Sequence, residues 1–156
     1  MQNIFSSPVD LMRKVEKDKV SLEKSMAVSD EVAIRESLFN FVVGAYHLVD
    51  WIKIYYPSLE QEVYNLLSKN KYLSACRDLC NASKHVKLEL NKGSYKIHPP
   101  VLGDVEYSPT GAISPSGISE FKVKVEFNDG YRIPVENLME QVITAWKKFF
   151  EEKGIE

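Results

Sequence analysis

Cysteine, histidine and long apolar runs are scarce in this chain. Of its 156 residues two are cysteine and three are histidine. Cys76 and Cys80 lie one helical turn apart, where an in-helix disulfide is geometrically poor, so buried free thiols are the expectation. No Cys or His pair with finger spacing adds the two further ligands that a structural metal needs, so no metal is expected. No apolar run reaches about 18 residues, the length a membrane span requires. The stretch Val42 to Tyr56 comes nearest, and His47, Asp50 and Lys53 interrupt it. A charged-then-apolar signal pattern is missing from the N-terminus, and a cytoplasmic location is the expectation. The chain also has no glycine-rich phosphate loop, no nucleophile elbow and no internal repeat. None of these patterns asks for a cofactor.

Strong net charge is missing too. The formal balance is −2, which argues against a uniformly basic nucleic-acid binder. Its distribution is uneven. Between Lys69 and His98 seven Lys and Arg face two acids, so that segment carries +5 and the remainder −7. A local basic patch on an acidic body attracts polyanions. Clustering on a solvated surface accounts for the same asymmetry.

The length suits a single domain with a real core. Helical periodicity places helices at about 8–26, 30–56, 58–68, 71–86 and 135–153. Ser7-Pro8, Asp30, the Ser58-Leu59-Glu60-Gln61 box and Asn70 read as starts. Pro57 bounds the second helix and Gly154 the fifth. From Leu38 onward the second helix is apolar nearly all round and should be central. A polar stripe, Glu36, Asn40, Gly44, His47 and Asp50, runs along it. Mid-helix Gly44 costs about 1 kcal/mol against Ala, and a close helix crossing would explain it. Trp146, Phe149 and Ile143 of the last helix are expected against this one.

Alternation of period two marks strands at about 86–91, 95–97, 120–127 and 131–133. Asn91-Lys92-Gly93-Ser94 and Asn128-Asp129-Gly130 are the turns. Residues 98–119, with four prolines and three glycines, read as an irregular loop, with Val105-Glu106-Tyr107 as a short strand within it. The expectation is a mainly α fold, a helical bundle with a small antiparallel sheet before its final helix.

The chemistry concentrates in Arg77-Asp78-Leu79-Cys80-Asn81-Ala82-Ser83-Lys84-His85, beside His47-Leu48-Val49-Asp50-Trp51. With Arg77 at the origin of a helical wheel, Lys84, Asn81, His85 and Asp78 fall at about −20°, 40°, 80° and 100°. A guanidinium, an amide, an ammonium and an imidazole on one face can hold a phosphate and move a proton. The same face is also an ordinary solvated helix surface. His47 and Asp50, one turn apart, can pair, and such pairs serve structure as well as sites.

A helical bundle with Arg, a polar residue and a later His on a late helix resembles the HEPN superfamily, small helical domains of bacterial toxins and defence proteins. The likeness covers the second to fourth helices; the hairpin and last helix lie outside the family's common core. It implies a metal-independent ribonuclease whose site forms across a homodimer. Arg77 would bind the scissile phosphate, with Asp78 as the polar residue after it. His85 would serve as acid or base on the ribose 2′-hydroxyl and the leaving oxygen. Asn81 and Lys84 would bind substrate, supported by His47 and Asp50. RNA or a nucleotide and an antitoxin or other protein would be the partners. Seven residues separate Arg77 from His85, where the family has four to six, which sets them about 12 Å apart along an unbroken helix. A non-catalytic nucleotide- or protein-binding helical module is the alternative.

Overall fold

A computed structural model describes residues 4–28, 30–84, 124–127 and 130–156. The expected strands at 86–91 and 95–97, the loop 98–119, the first residues of 120–127 and the end of the helix expected at 71–86 lie outside them. The described residues form helices α1 (Pro8–Ala27), α2 (Glu31–Tyr55), α3 (Glu60–Lys69), α4 (Lys71–Lys84) and α5 (Val135–Lys153). Strands β1 (Lys124–Glu126) and β2 (Arg132–Pro134) precede α5. The protein is mainly helical, and no described helix is long and apolar enough to cross a membrane.

Local chemistry sets most helix ends. The Ser7 hydroxyl accepts the Asp10 N–H at 3.2 Å, and Pro8 opens α1 with its fixed φ. The Asp30 carboxylate accepts the Ala33 N–H at 3.1 Å. The Asn70 side chain accepts from Tyr72 and Leu73 at 3.0 and 3.1 Å. Gly154, at φ 64, ends α5, and the Ile155 N–H returns to Phe150 O at 2.9 Å. The Ser58 box behaves differently. Pro57–Leu59 forms a tight 3-10 turn, closed by Leu59 N–H to Tyr56 O at 2.9 Å. Helix α3 therefore starts at Glu60 on Leu59, with no side-chain cap. Proline's preset φ favours that turn, and it moves the start past Ser58.

The strands pair antiparallel with Val125 opposite Ile133. Both are buried in the core. Phe127 N–H donates to Tyr131 O at 2.8 Å, and Gly130, at φ 83, supplies the left-handed turn residue. Pro134 is the last residue of β2 and the cap of α5.

Helix α2 is central, as its all-round apolarity requires. It packs against α1, α3, α4 and α5. Its polar stripe, however, divides. Gly44 faces α1: a Cβ there would sit 3.1 Å from Val15 Cγ2 and 3.5 Å from Lys14 Nζ. His47 and Asp50 instead lie at the surface. Helix α5 touches α1, α2, α4 and both strands, so its apolar face closes the whole bundle rather than the α2 side alone. Trp146 is wholly buried. Phe149 and Phe150 meet it edge-on at ring separations of 6.2 and 6.5 Å.

Two stability outcomes are expected. Trp146→Ala should cost about 3–5 kcal/mol in reversible denaturation, the range for a buried aromatic. Trp146 Nε1 is buried without a hydrogen-bond partner among the described residues. Trp146→Phe should therefore cost much less, since it removes that orphaned donor and keeps a ring. A loss under about 1 kcal/mol for the alanine variant would place α5 at the periphery. Gly44→Leu should lose about 1–3 kcal/mol, since the added carbons overpack the seam with Val15. Unchanged stability would mean that the two helices separate freely there.

Candidate functional site

Helix α4 is anchored by its apolar face. Leu73, Ala75, Cys76 and Cys80 are buried, which turns Arg77, Asp78 and Asn81 to the half-buried rim of the bundle. Burial, and secondarily the neighbouring Cys80, pushes the Cys76 thiol far up, so it stays protonated and is no nucleophile. The two cysteines are core residues.

Arg77 Nε donates to Asp78 Oδ1 at 2.9 Å. The two side chains are 30% and 16% exposed. Adjacent helical residues diverge by about 100°, so this contact spans around the helix rather than along it. One carboxylate oxygen thus orients the guanidinium by its Nε edge, and the pair is formally neutral.

Helix α2 supplies the facing groups. Tyr46, missed in the sequence reading, is the informative one. Its phenol is held above the ordinary tyrosine range, first by burial and then by the Asp50 carboxylate, while the Arg77 guanidinium opposes the rise. Tyr46, Asp50 and Arg77 therefore share one electrostatic neighbourhood at the α2–α4 contact. A wheel would have found the tyrosine, because Tyr46 lies one turn before Asp50. His47 Nδ1 and Asp50 Oδ2 stand 3.8 Å apart, with side chains 41% and 58% exposed. That separation exceeds hydrogen-bond length, and solvent screens the pair.

Beyond them lies an aromatic surface. Trp51 and Tyr55 stack at 5.6 Å with ring planes 9° apart. Phe5 meets Trp51 edge-on at 6.1 Å.

Arg77, Asp78 and Asn81 thus share the rim of α4, with His47 and Asp50 on the neighbouring helix. Lys84 closes α4, with its side chain outside the described residues, as is the whole of His85. Among the described residues no three His, Cys, Asp or Glu side chains group as a metal site would need. Comparison of the chain with protein-family models, curated proteins and solved structures finds no match.

The Tyr46 neighbourhood yields a direct test. Asp50→Asn should lower the Tyr46 pKa toward the ordinary value near 10, and Arg77→Ala should raise it further. A raised folded pKa means that the fold favours the neutral phenol. The associated stability is full below the ordinary tyrosine range and fades as pH rises through the folded value. Ring-carbon NMR of labelled tyrosine, assigned with Tyr46→Phe, reads both shifts. Identical titrations in all three proteins would separate Tyr46 from both charges.

Proposed function

We propose that this chain is a HEPN-like helical domain that binds RNA on the α2–α4 face and cleaves it without a metal, as a homodimer in a toxin–antitoxin or defence setting. The observation that carries the reading is Arg77, oriented by Asp78 beside Tyr46 and Asp50. A guanidinium fixed through its Nε edge keeps its terminal N–H fork for a phosphate. His85 would take the 2′-hydroxyl proton as the 2′-oxygen attacks phosphorus, and a second imidazole across the dimer would protonate the departing 5′-oxygen. The products are a 2′,3′-cyclic phosphate and a 5′-hydroxyl. A positioned imidazole contributes about 10²–10⁴-fold to such a reaction, and Arg77 adds charge stabilisation at the phosphate. The Trp51–Tyr55 stack is a surface on which an unpaired base can lie.

A second reading has its own support. The Arg77–Asp78 pair is neutral and Asp50 stands close by, so the described part of the face carries no surplus positive charge. That balance suits recognition of a nucleotide or a protein without catalysis.

One experiment separates the two. Purified wild type, Arg77→Ala and His85→Ala are incubated with total RNA in EDTA, and binding to a labelled oligoribonucleotide is followed in parallel by anisotropy. Cleavage by wild type alone, with helical content unchanged in the variants, supports the nuclease. Binding that needs Arg77, with no cleavage by any protein, selects the recognition module. If RNA is neither bound nor cut, both RNA readings fall.

A further inference from the structure

Three aromatic rings converge on one ammonium at the start of α4. Lys71 Nζ stands 4.2 Å from the centroid of the Tyr131 ring, 5.2 Å from Tyr72 and 5.8 Å from Phe127. All three lie within the range of about 6 Å over which a cation is drawn to a ring. The rings are walls at different angles. Tyr72 and Phe127 meet at 82°, with 6.4 Å between centroids, and Phe127 and Tyr131 are tilted by 40° at 5.6 Å.

The backbone holds these walls independently of the lysine. The Phe127 N–H to Tyr131 O bond and the Gly130 turn space two of them. The Asn70 side chain, accepting the Tyr72 N–H, fixes the third.

Lys71, by contrast, is weakly bound to its position. It is the first residue of α4, whose first turn holds no acid. A cation there opposes the positive end of the helix. Among the described residues no carboxylate pairs with it, so its described attraction is to the rings. The lysine is exposed, and the Tyr131 wall is 42% exposed.

We propose that Tyr72, Phe127 and Tyr131 form a binding site for an alkylated ammonium group, as on a methylated lysine or a choline headgroup, with Lys71 as its tethered resident occupant. A methylated ammonium is less strongly hydrated than the primary ammonium of lysine. It gives up less on leaving water for the rings, and aromatic cages recognise it for that reason. Displaced lysine returns to solvent and leaves the unfavourable end of the helix. The site is separate from the α2–α4 face and does not depend on RNA binding there.

The test is titration of wild type and Lys71→Ala with tetramethylammonium chloride, read by NMR of the Tyr131 and Phe127 rings. Sodium chloride at equal ionic strength and the neutral tert-butanol are the controls. A tethered occupant weakens an outside ligand by one plus the ratio of its effective concentration to its own dissociation constant. If Lys71 fills the rings more than half the time, its removal should therefore tighten binding by more than about twofold. Lys71→Gln, which keeps bulk and removes charge, should tighten it as well. Adding Tyr131→Ala to Lys71→Ala should abolish binding while the helical circular dichroism stays unchanged. Trimethyl-lysine and phosphocholine as separate ligands then assign the source by which binds more tightly. Absence of tetramethylammonium binding in Lys71→Ala and Lys71→Gln would overturn the proposal. So would equal affinity in wild type and both variants, or an equal response to tert-butanol.

Discussion

The seam between Gly44 of α2 and Val15 of α1 is the constraint on which the rest of the bundle depends. With Val15 Cγ2 only 3.1 Å from where a Cβ would stand, a larger residue would force the helices apart. Gly44 costs α2 about 1 kcal/mol of helix propensity. In return α1 lies close enough to bury Leu11, Val15 and Leu22 together with Phe41 and Leu48. Apolar area removed from water contributes about 25 cal/mol per Å², so a few buried side chains outweigh one poor helix former. Lys14 reinforces the seam, bonding to Asn40 O at 3.2 Å and pairing with Asp18.

With α1 on one flank of α2, the other flanks receive α3, α4 and α5. The α3 flank is pinned at the surface, where Lys53 Nζ donates to the Tyr64 hydroxyl at 2.6 Å and lies 3.5 Å from Glu60. On the α4 flank, apolar packing up to Cys80 leaves a narrow rim where Tyr46, Asp50, Arg77 and Asp78 come together. One guanidinium there faces two carboxylates, so the named groups sum to −1. The rim is therefore a surface of oriented groups rather than of strong field, and a ligand on it would be selected by hydrogen-bond geometry more than by long-range attraction.

The hairpin adds a second chemistry. Val125 and Ile133 enter the core beneath α5, while Phe127 and Tyr131 turn toward the first residues of α4. The apolar pair ties the ribbon to the bundle, and the aromatic pair surrounds the Lys71 ammonium. One short ribbon thus supplies both core and cage. Val125 and Phe127, like Ile133 and Tyr131, are two residues apart and share a face, whose inner part enters the core while its turn end reaches Lys71.

The sequence by itself determined the five helices of the described residues, most of their ends and the central position of α2. Caps act within one turn, as Ser7, Asp30, Asn70 and Gly154 do, and apolar periodicity is a local property, so both are legible in order along the chain. The alternation around Val125 and the Gly130 turn were legible for the same reason. Tertiary structure decided what depends on distant partners. Pro57 overrode the Ser58 box by making a 3-10 turn with Tyr56. The polar stripe of α2 divided because Val15 took the Gly44 side and left His47 and Asp50 to solvent. Arg77 turned back onto Asp78, and the raised pKa of Tyr46 comes from burial and Asp50 on its own helix, opposed by Arg77 across the α2–α4 contact. The rings around Lys71 come from two segments far apart in sequence. Period and capping are written in neighbouring residues, whereas the direction and environment of a side chain are set by whichever helix or strand packs against it.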